Sequence, residues 1–496
     1  MQGFVQALAV LFTPQCLFYL LFGAVAGVVL GAIPGLSGGT GLVIMLPLTF
    51  HMEANMAIAT LMGIYIGGVS GGYIGSILLG IPGTTNSIAT VYDGYEMTKK
   101  GEAVRALSAA TTANFIGTAP SVLIALFAAN WISEWAVKLG PWEYFSLMLC
   151  ALTLVITLSQ GNMAKGMLAM GIGLVIASVG YAPICGTKRF TMGTYYLYGG
   201  ISFVDVMMGL FAGVTILLEF ARNSKASQAD IVKISRFQFP WKDFSDNKIN
   251  VIRSWCIGLV IGFLPGMGGT LANMVAYAQE KSASKHPELL GTGCVDGVIA
   301  PEVANNASIG GAIIPMVSLG IPGDGACALL MAALTLQGVQ PGPLFSTNNP
   351  VLFNLIFLAA AVAAVWVFVV EILGMPLFPA LLKIPYHFLY PAILVLIFAG
   401  AYMASNNMFD VFMMLIAILL GLFLQYFEIP SSPLILAVVL GGNIETYLRR
   451  GCNMAENGWH AFFTRPVSLV LLVVAVMSIF GSLFGDQIKA ARQKNN

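Results

Sequence analysis

The sequence predicts an all-α polytopic membrane protein, and three observations support this fold class. The first is composition: of 496 residues, 58% are hydrophobic and only 9% are charged, whereas a soluble domain carries about 25% charged residues. The second is the length of uncharged runs such as residues 1–52 and 325–370, because about 20 apolar residues suffice to span a bilayer. The third is a set of Pro-Gly motifs that occurs twice.

The uncharged runs predict roughly ten to twelve membrane segments, some of them incomplete. Residues 1–15 contain no Lys or Arg, so they lack the charged start of a cleaved signal peptide and are expected to insert as a first span. The seven cysteines form no C-x-x-C pair, which argues against a disulfide framework or a metal site. No cofactor is expected. No dense basic tract occurs at a net charge of +1, so a nucleic-acid partner is not expected either.

A polar stretch near the middle of the chain separates two apolar halves. It carries seven basic and three acidic residues between Arg222 and Arg253, and this basic excess predicts a cytoplasmic location. The chain is therefore divided into a first transmembrane repeat (residues 1–221), a polar cytoplasmic linker (222–248) and a second transmembrane repeat (249–496).

The two halves share two motifs in the same order. The segment Gly31–Thr40, with Pro34 followed by Gly35, recurs as Gly262–Thr270, and the two prolines are 231 positions apart (265 minus 34). The sequence Leu-Gly-Ile-Pro-Gly at 79–83 recurs at 319–323, at an offset of 240 (322 minus 82). Two motifs at nearly one offset indicate an internal duplication.

Loop charges indicate how the two copies are oriented. In the first half, Lys99, Lys100 and Arg105 follow the second motif, and the segment before the first motif is uncharged. In the second half the basic linker precedes the first motif, and residues 337–350 after the second motif are uncharged. Equivalent loops with opposite basic content favour opposite sides of the membrane, which predicts inverted repeats.

The Pro-Gly motifs predict discontinuous or re-entrant helices. Proline removes a backbone donor and clashes with the preceding turn. Broken backbone survives in a membrane only when it is buried in protein or lines a wet cavity. The half-helix that starts after a break presents free N–H groups and a positive dipole end, which can bind an anion without a formal positive charge. The alternative is that these motifs only kink helices and let them pack closely.

The first interpretation predicts that residues at and just after the four breaks bind the substrate. Their hydroxyl, amide and backbone N–H groups can donate hydrogen bonds to a carboxylate. The predicted substrate-binding residues are Pro34, Gly35, Ser37, Gly38, Gly39, Thr40, Pro82, Gly83, Thr84, Thr85, Asn86, Pro265, Gly266, Gly268, Gly269, Thr270, Asn273, Pro322 and Gly323.

Two acids inside apolar sequence predict a site for a coupling ion. Glu302 and Asp324 flank the uncharged segment 303–323, and Asn305 and Asn306 lie beside Glu302. Ionisable groups within a membrane are costly and usually functional. These four residues are the predicted ion-coupling residues, and the alternative places both acids at the headgroup interface. Three further acids at the edges of apolar runs are interpreted as interfacial: Asp205, Glu371 and Asp410.

Two catalytic patterns occur, and we reject both. Residues 35–39 fit G-x-S-x-G around Ser37 and also the short G-x-S-G pattern of intramembrane serine proteases, but a nucleophilic serine needs a positioned base. None of the four histidines lies in the middle of an apolar segment, and the second repeat omits the serine. We therefore predict that the protein is not an enzyme and has no catalytic residue.

Taken together, these motifs resemble the large membrane subunit of the tripartite tricarboxylate transporter family, the TctA-like proteins. The resemblance covers almost the whole chain. It is carried by Gly31–Thr40, by 73–86 with Tyr-Asp-Gly-Tyr at 92–95, by Gly262–Tyr277, and by 301–340 followed by Pro-Gly-Pro.

The resemblance implies a function and partners. Such a subunit works with a small transmembrane subunit (TctB-like) and a periplasmic solute-binding protein (TctC-like) in the bacterial inner membrane. It imports a carboxylate, such as a tricarboxylate or dicarboxylate, by secondary active transport coupled to a Na⁺ or H⁺ gradient. The alternatives are a passive anion channel or facilitator and an intramembrane serine hydrolase.

Overall fold

The computed structural model describes residues 2–36, 38–158, 163–221, 234–384, 386–454 and 459–494. Ser37 and residues 222–233 of the predicted linker lie outside this described part. The α-helices, in chain order, are α1 (Gln2–Leu11), α2 (Pro14–Ala32), α3 (Gly38–Thr49), α4 (Ala54–Ser70), α5 (Gly72–Leu79), α6 (Thr90–Lys99), α7 (Ala103–Ala136), α8 (Pro141–Leu158), α9 (Met163–Ala177), α10 (Phe203–Met207), α11 (Val214–Ala221), α12 (Trp241–Asp246), α13 (Lys248–Phe263), α14 (Gly268–Ala283), α15 (Asp296–Leu319), α16 (Gly325–Leu336), α17 (Phe345–Asn348), α18 (Pro350–Gly374), α19 (Phe378–Leu381), α20 (Tyr386–Ser405), α21 (Met408–Tyr426), α22 (Ser431–Met454), α23 (His460–Thr464) and α24 (Pro466–Lys494).

Other regular structure is short. A two-stranded antiparallel hairpin is formed by β1 (Gly180–Tyr181) and β2 (Lys188–Arg189). A π-helical segment at Met208–Gly213 joins α10 to α11. Single 3₁₀ turns lie at Thr85–Ser87, Tyr195–Leu197, Pro287–Leu289 and Met375–Leu377.

The all-α polytopic prediction is confirmed. Within the described residues, six segments are long and apolar enough to cross a membrane, and several shorter apolar helices accompany them. The shorter helices include α3 and α16, which begin at helix breaks and are too short to span a bilayer alone. The predicted total of ten to twelve membrane segments stays a prediction. The six long segments are Pro14–Ala32, Ala54–Leu79, Ala103–Ala136, Phe203–Ala221, Pro350–Leu381 and Met408–Tyr426.

The chain forms two compact units. The first contains Met1–Ser133 and Phe211–Met408, and the second contains Glu134–Leu210 and Phe409–Asn496. All four Pro-Gly motifs lie in the first unit, which therefore holds the predicted site. The predicted division into two repeats joined by residues 222–248 describes duplicated sequence, whereas these two units describe which parts of the chain pack together. The predicted division stays a prediction.

Equivalent helices of the two halves make equivalent close contacts in the first unit. A Cβ added to Gly27 of α2 would lie 2.6 Å from the carbonyl oxygen of Ile64 in α4. A Cβ added to Gly258 of α13 would overlap the carbonyl oxygen of Ala304 in α15. The members of these contacts are separated by 231 (258 minus 27) and 240 (304 minus 64) positions, the offsets of the two motifs. Two further contacts repeat at these offsets: Gly31 on Gly68 with Gly262 on Ser308, and Gly71 on Val28 with Gly311 on Leu259.

Each Pro-Gly motif lies in a break between helices, as predicted. In the first motif of each half, the glycine after proline has a positive φ, 88° at Gly35 and 73° at Gly266. In the second motif, the glycine before Ile-Pro ends the helix with φ of 68° at Gly80 and 70° at Gly320. Because residues with a side chain rarely adopt a positive φ, glycine is needed at these four positions. The inverted orientation of the copies stays a prediction.

The second unit contains a buried acid that the sequence analysis interpreted as interfacial. The Asp205 side chain has no exposed surface, and Asp410 of α21 lies close enough to affect its charge electrostatically. Asp205 is therefore enclosed by protein rather than exposed to headgroups, because α10 turns its first-turn acid inward.

We predict that Gly258→Ala destabilises the protein. The added methyl group would overlap the Ala304 carbonyl and force α13 from α15, and overpacking of this kind costs about 1 to 3 kcal/mol. The measurement is thermal unfolding of the purified protein in detergent. The control is Gly442→Ala in α22, where an added Cβ meets nothing within 4 Å. Equal melting temperatures for the two variants would contradict the tight packing of α13 on α15.

Candidate functional site

The start of α14 meets the turn that follows the first Gly-Ile-Pro-Gly motif. The hydroxyl of Thr270 donates a hydrogen bond to Asn86 Oδ1 (2.7 Å) and approaches the hydroxyl of Thr85 (3.2 Å). Thr85 is exposed, and Thr270 and Asn86 are half-buried. These three predicted substrate-binding residues therefore form an accessible polar group that is contributed by both halves.

The start of α16 is occupied by its own acid. Asp324 caps this helix: one carboxylate oxygen accepts a hydrogen bond from the backbone N–H of Cys327 (2.6 Å). The other oxygen accepts one from the hydroxyl of Tyr65 (3.0 Å). A negative side chain at the N-cap offsets the positive end of a helix, so α16 is less suited to bind an anion than α3 or α14. The predicted role of Asp324 in ion coupling stays a prediction.

A chain of buried hydrogen bonds joins the two halves behind the accessible group. Asn273 of α14 accepts a hydrogen bond from the backbone N–H of Ala89 (2.9 Å) and donates to Thr90 (3.4 Å). The hydroxyl of Thr90 in turn donates to Glu302 Oε1 (2.5 Å). The side chains of Asn273, Thr90 and Glu302 have no exposed surface, so Asn273 fixes the first-half turn to α14 and α15.

Asn306 is held by four hydrogen bonds. Its Oδ1 accepts from the hydroxyls of Ser70 (2.7 Å) and Thr118 (3.2 Å). Its Nδ2 donates to Asn114 Oδ1 (2.6 Å) and to the carbonyl of Glu302 (3.1 Å). An amide has two acceptor and two donor positions, so the polar capacity of Asn306 is used by protein. Its predicted role in ion coupling stays a prediction.

Four buried side chains beside the Gly80–Thr84 break carry polar atoms without a hydrogen-bond partner among the described residues. They are Thr84, Ser87, Glu302 and Asn305, with the unpaired atoms Thr84 Oγ1, Ser87 Oγ, Glu302 Oε2, Asn305 Oδ1 and Asn305 Nδ2. Three of the four are predicted site residues, and Ser87 directly follows the predicted residues Thr84, Thr85 and Asn86 in the same turn. Unpaired buried polar groups are rare in folded proteins.

Glu371 is a second acid that the sequence analysis interpreted as interfacial, and the structure buries it completely. It lies in α18, where Glu302 is close enough to act on its charge and Tyr73 and Asn114 are its polar neighbours. The signal in the sequence is that Glu371 is the only charged residue in the 25 residues of α18. Its position near the end of the helix suggested an interfacial location, and the sequence does not show which neighbours enclose it.

Asp93 clamps α6 to the loop before α15, a role the sequence analysis missed. Its carboxylate accepts hydrogen bonds from the hydroxyl of Tyr277 (2.9 Å) and from the backbone N–H groups of Gly291 (2.9 Å), Gly293 (2.8 Å) and Cys294 (2.8 Å). The available signal was the motif Tyr-Asp-Gly-Tyr at 92–95, whose acid follows an uncharged run. Asp93 thereby sets the position of α6 and of the turn before it.

The remaining predicted substrate-binding residues differ in access. Gly35 is exposed, and Pro34, Pro82, Pro265 and Gly266 are half-buried, so an arriving solute can reach the backbone at three of the breaks. The other described candidates are buried: Gly38, Gly39, Thr40, Gly83, Thr84, Gly268, Gly269, Asn273, Pro322 and Gly323.

Comparison with known proteins gives one family. The model of the tripartite tricarboxylate transporter TctA family matches residues 17–436. An uncharacterized 52.8 kDa protein in the TAR-I ttuC′ 3′ region of Agrobacterium vitis is 34% identical over 497 residues, covering 99% of this chain and 97% of the relative. A protein in the TAR-II ttuC′ 3′ region of the same organism is 36% identical over 231 residues, covering 46% of this chain and 93% of the relative. No solved structure matches the chain.

We predict that Asp93→Ala lowers the stability of the protein by about 3 kcal/mol, because it removes the shared acceptor of these hydrogen bonds, and a hydrogen bond to a charged group contributes about 1.5 to 3 kcal/mol. Thermal unfolding of the purified protein measures the effect. The control is Glu96→Ala on the same helix, whose partner Lys99 is largely exposed, and it should change stability little. Equal effects of the two substitutions would disprove the clamp.

Proposed function

The chain belongs to the tripartite tricarboxylate transporter TctA family, and we propose that it is the large membrane subunit of a binding-protein-dependent secondary transporter that imports a carboxylate. The observation that carries this proposal is the accessible polar group of Thr85, Asn86 and Thr270, which both halves contribute at two helix breaks. Substrate sites at the meeting point of discontinuous helices are common in secondary transporters.

The chemistry of this group suits an organic anion. Thr270 lies two residues after the start of α14, where free backbone N–H groups and the helix dipole favour negative charge. The hydroxyls of Thr85 and Thr270 can each turn to donate to a carboxylate. These donors are neutral, so they hold an anion less tightly than a formal positive charge would, which favours its release on the other side.

Transport by this subunit is coupled to a cation gradient, of Na⁺ or H⁺, in this proposal. The sequence prediction assigned the coupling ion to Glu302, Asn305, Asn306 and Asp324. The hydrogen bonds favour the first two, because Asn306 and Asp324 use their polar atoms in contacts with protein. Glu302 Oε2 and Asn305 Oδ1 have no such partner within the described ranges.

The proposed assembly has three parts. A periplasmic solute-binding protein captures the carboxylate, a small transmembrane subunit accompanies this chain, and this chain carries the solute across the bacterial inner membrane. The family supports these partners at the level of the system as a whole. The substrate itself is found by thermal-shift screening of the binding protein against a panel of carboxylates.

We predict that Thr270→Val raises the KM for uptake about tenfold or more. A hydrogen bond to a charged group contributes about 1.5 to 3 kcal/mol, and each 1.4 kcal/mol is a factor of ten. The measurement is uptake of the radiolabelled carboxylate into proteoliposomes that contain all three proteins. The control is Thr335→Val in α16, an exposed threonine whose hydroxyl bonds only to the Met331 carbonyl of its own helix among the contacts described.

The same assay separates this proposal from its rivals. Uptake should require the binding protein and should collapse when the Na⁺ and H⁺ gradients are removed together. Uptake that ignores both gradients would instead support a passive channel or facilitator, and an unchanged KM for Thr270→Val would remove Thr270 from the substrate site.

A further inference from the structure

The unpaired polar atoms beside the first Gly-Ile-Pro-Gly break lie in one place. A Cβ added to Gly72 would overlap the hydroxyl of Thr84 and lie 2.7 Å from the hydroxyl of Ser87, so both hydroxyls face the same glycine of α5. The side chains of Ser87 and Asn305 lie close enough to the Glu302 carboxylate to influence it as hydrogen-bonding neighbours. Thr84, Ser87, Glu302 and Asn305 are therefore neighbours in one polar cluster, which we call the Glu302 site.

Burial makes these unpaired atoms informative. Thr84 is 3% exposed, and Ser87, Glu302 and Asn305 are 0% exposed. Ser87 and Asn305 lie near Glu302, but neither meets the geometry of a hydrogen bond to Glu302 Oε2. A single buried oxygen without a partner costs about 1 to 3 kcal/mol. Several unpaired oxygens in one cluster are accounted for together if they bind a common ligand.

The charge of the site requires a cation or a proton. Glu302 has Glu371 as a neighbouring acid, and the interactions described for these two carboxylates include no Lys, Arg or His. Buried charges in proteins are paired or coordinate a metal ion. The Glu302 site therefore has more negative charge available than the described protein groups around it balance.

The ligand atoms select the kind of cation. One carboxylate, two hydroxyls and one amide oxygen are hard ligands with a single formal negative charge, and they suit a hard cation of single charge. Calcium and magnesium sites use several oxygen ligands that usually include more carboxylate charge or bound substrate phosphates. Zinc takes His and Cys ligands, and the described residues contain no cluster of three or more His, Cys, Asp or Glu.

The second copy of the motif lacks this site. The residues 240 positions from Thr84, Ser87 and Asn305 are Asp324, Cys327 and Tyr65. These three bond to one another: Asp324 accepts from the Tyr65 hydroxyl (3.0 Å) and the Cys327 N–H (2.6 Å), and the Cys327 thiol lies 3.4 Å from the Tyr65 hydroxyl. The position of Glu302 is held by a methionine, Met62 (302 minus 240). The polar groups around Asp324 are thus hydrogen-bonded to one another, whereas those around Glu302 include atoms without a hydrogen-bond partner among the described residues.

We propose that the Glu302 site binds one Na⁺ ion through Thr84 Oγ1, Ser87 Oγ, Asn305 Oδ1 and Glu302 Oε2. This inference rests on the proposed function for its purpose, since it names the coupling ion and its ligands. The bound ion neutralises Glu302 and gives the unpaired oxygens a common partner.

Sodium at this site would order the substrate group next to it. Thr85 and Asn86 lie between the ligands Thr84 and Ser87 in one short turn, and they meet Thr270 at the accessible surface. Fixing the two ends of this turn fixes the hydroxyl and amide that face the substrate. Sodium and carboxylate then raise each other's affinity by the same factor, as linkage requires.

The test is sodium binding to the purified full-length chain, without partners or substrate. Sodium chloride is titrated against choline chloride at constant ionic strength, and binding is followed by thermal shift and by titration calorimetry. We expect saturable stabilisation of the wild type by Na⁺. Ser87→Ala and Thr84→Val should each weaken the apparent Na⁺ affinity about tenfold or more, since each removes one ligand, and Glu302→Gln should abolish binding.

A matched control is Ser318→Ala in α15, the helix that carries Glu302. Ser318 is buried, and its hydroxyl donates to the carbonyl of Ala129 (3.0 Å), remote from the site. This variant should keep the Na⁺ affinity of the wild type. If Glu302→Gln fails to fold, Ser87→Ala still tests the site, because it leaves the carboxylate in place.

Four results would overturn the inference. The first three are no saturable effect of Na⁺, an effect that choline reproduces, and an unchanged affinity in both hydroxyl variants. The fourth is a stability that responds to pH but not to Na⁺, which would assign a proton to Glu302. These outcomes are separate from failure of the proposed function. Proton-driven uptake without Na⁺ binding would leave the transporter standing, whereas Na⁺ binding without any carboxylate uptake would leave the ion site standing.

Discussion

The close approach of α2 to α4, and of α13 to α15, is the constraint on which the rest of the first unit depends. Glycine lets these backbones touch, and no other residue would fit at Gly27 or Gly258 without moving a helix. Because of this contact, the C-terminal ends of α2 and α13 lie against the second Pro-Gly motif of their own half. A Cβ added to Gly83 would lie 2.6 Å from the carbonyl oxygen of Gly31, and one added to Gly323 would lie 2.7 Å from that of Gly262. The breaks are thus packed on backbone, which is how non-helical chain persists at membrane depth.

Once each pair of helices is packed, each half of the sequence contributes a helix that contacts a break in the other half. Helix α14 packs on the turn Thr85–Ser87, and α3 packs on α16. The hydrogen bonds follow this exchange, from Thr270 to Asn86 and from Tyr65 to Asp324. A movement of one half would therefore change the proposed substrate group and the proposed ion site at Glu302 together. That is the physical requirement for coupling a solute to an ion.

The duplication is symmetric in backbone and asymmetric in charge. The sequence analysis predicted Glu302, Asn305, Asn306 and Asp324 as the ion-coupling residues. The contacts give Asp324 a capping role at α16, whereas the unpaired oxygens belong to Glu302 and its neighbours at the first Gly-Ile-Pro-Gly break. The difference arises because a carboxylate at an N-cap finds free backbone donors in its own helix, whereas Glu302 lies beyond the first turn of α15, where the backbone donors are already used within the helix.

The sequence by itself determined the fold class, the duplication and the four helix breaks, because composition, motif spacing and Pro-Gly chemistry act locally and need no knowledge of neighbours. It also named most residues of the candidate site, since these follow the breaks directly. Only the tertiary structure decided which side chains are accessible, which are satisfied by protein and which remain unpaired. Glu371, Asp93 and Ser87 gained their roles from partners that are distant along the chain, such as Glu302 and Tyr277. Burial and hydrogen-bond satisfaction are properties of the packed whole, so no pattern within a single segment could have specified them.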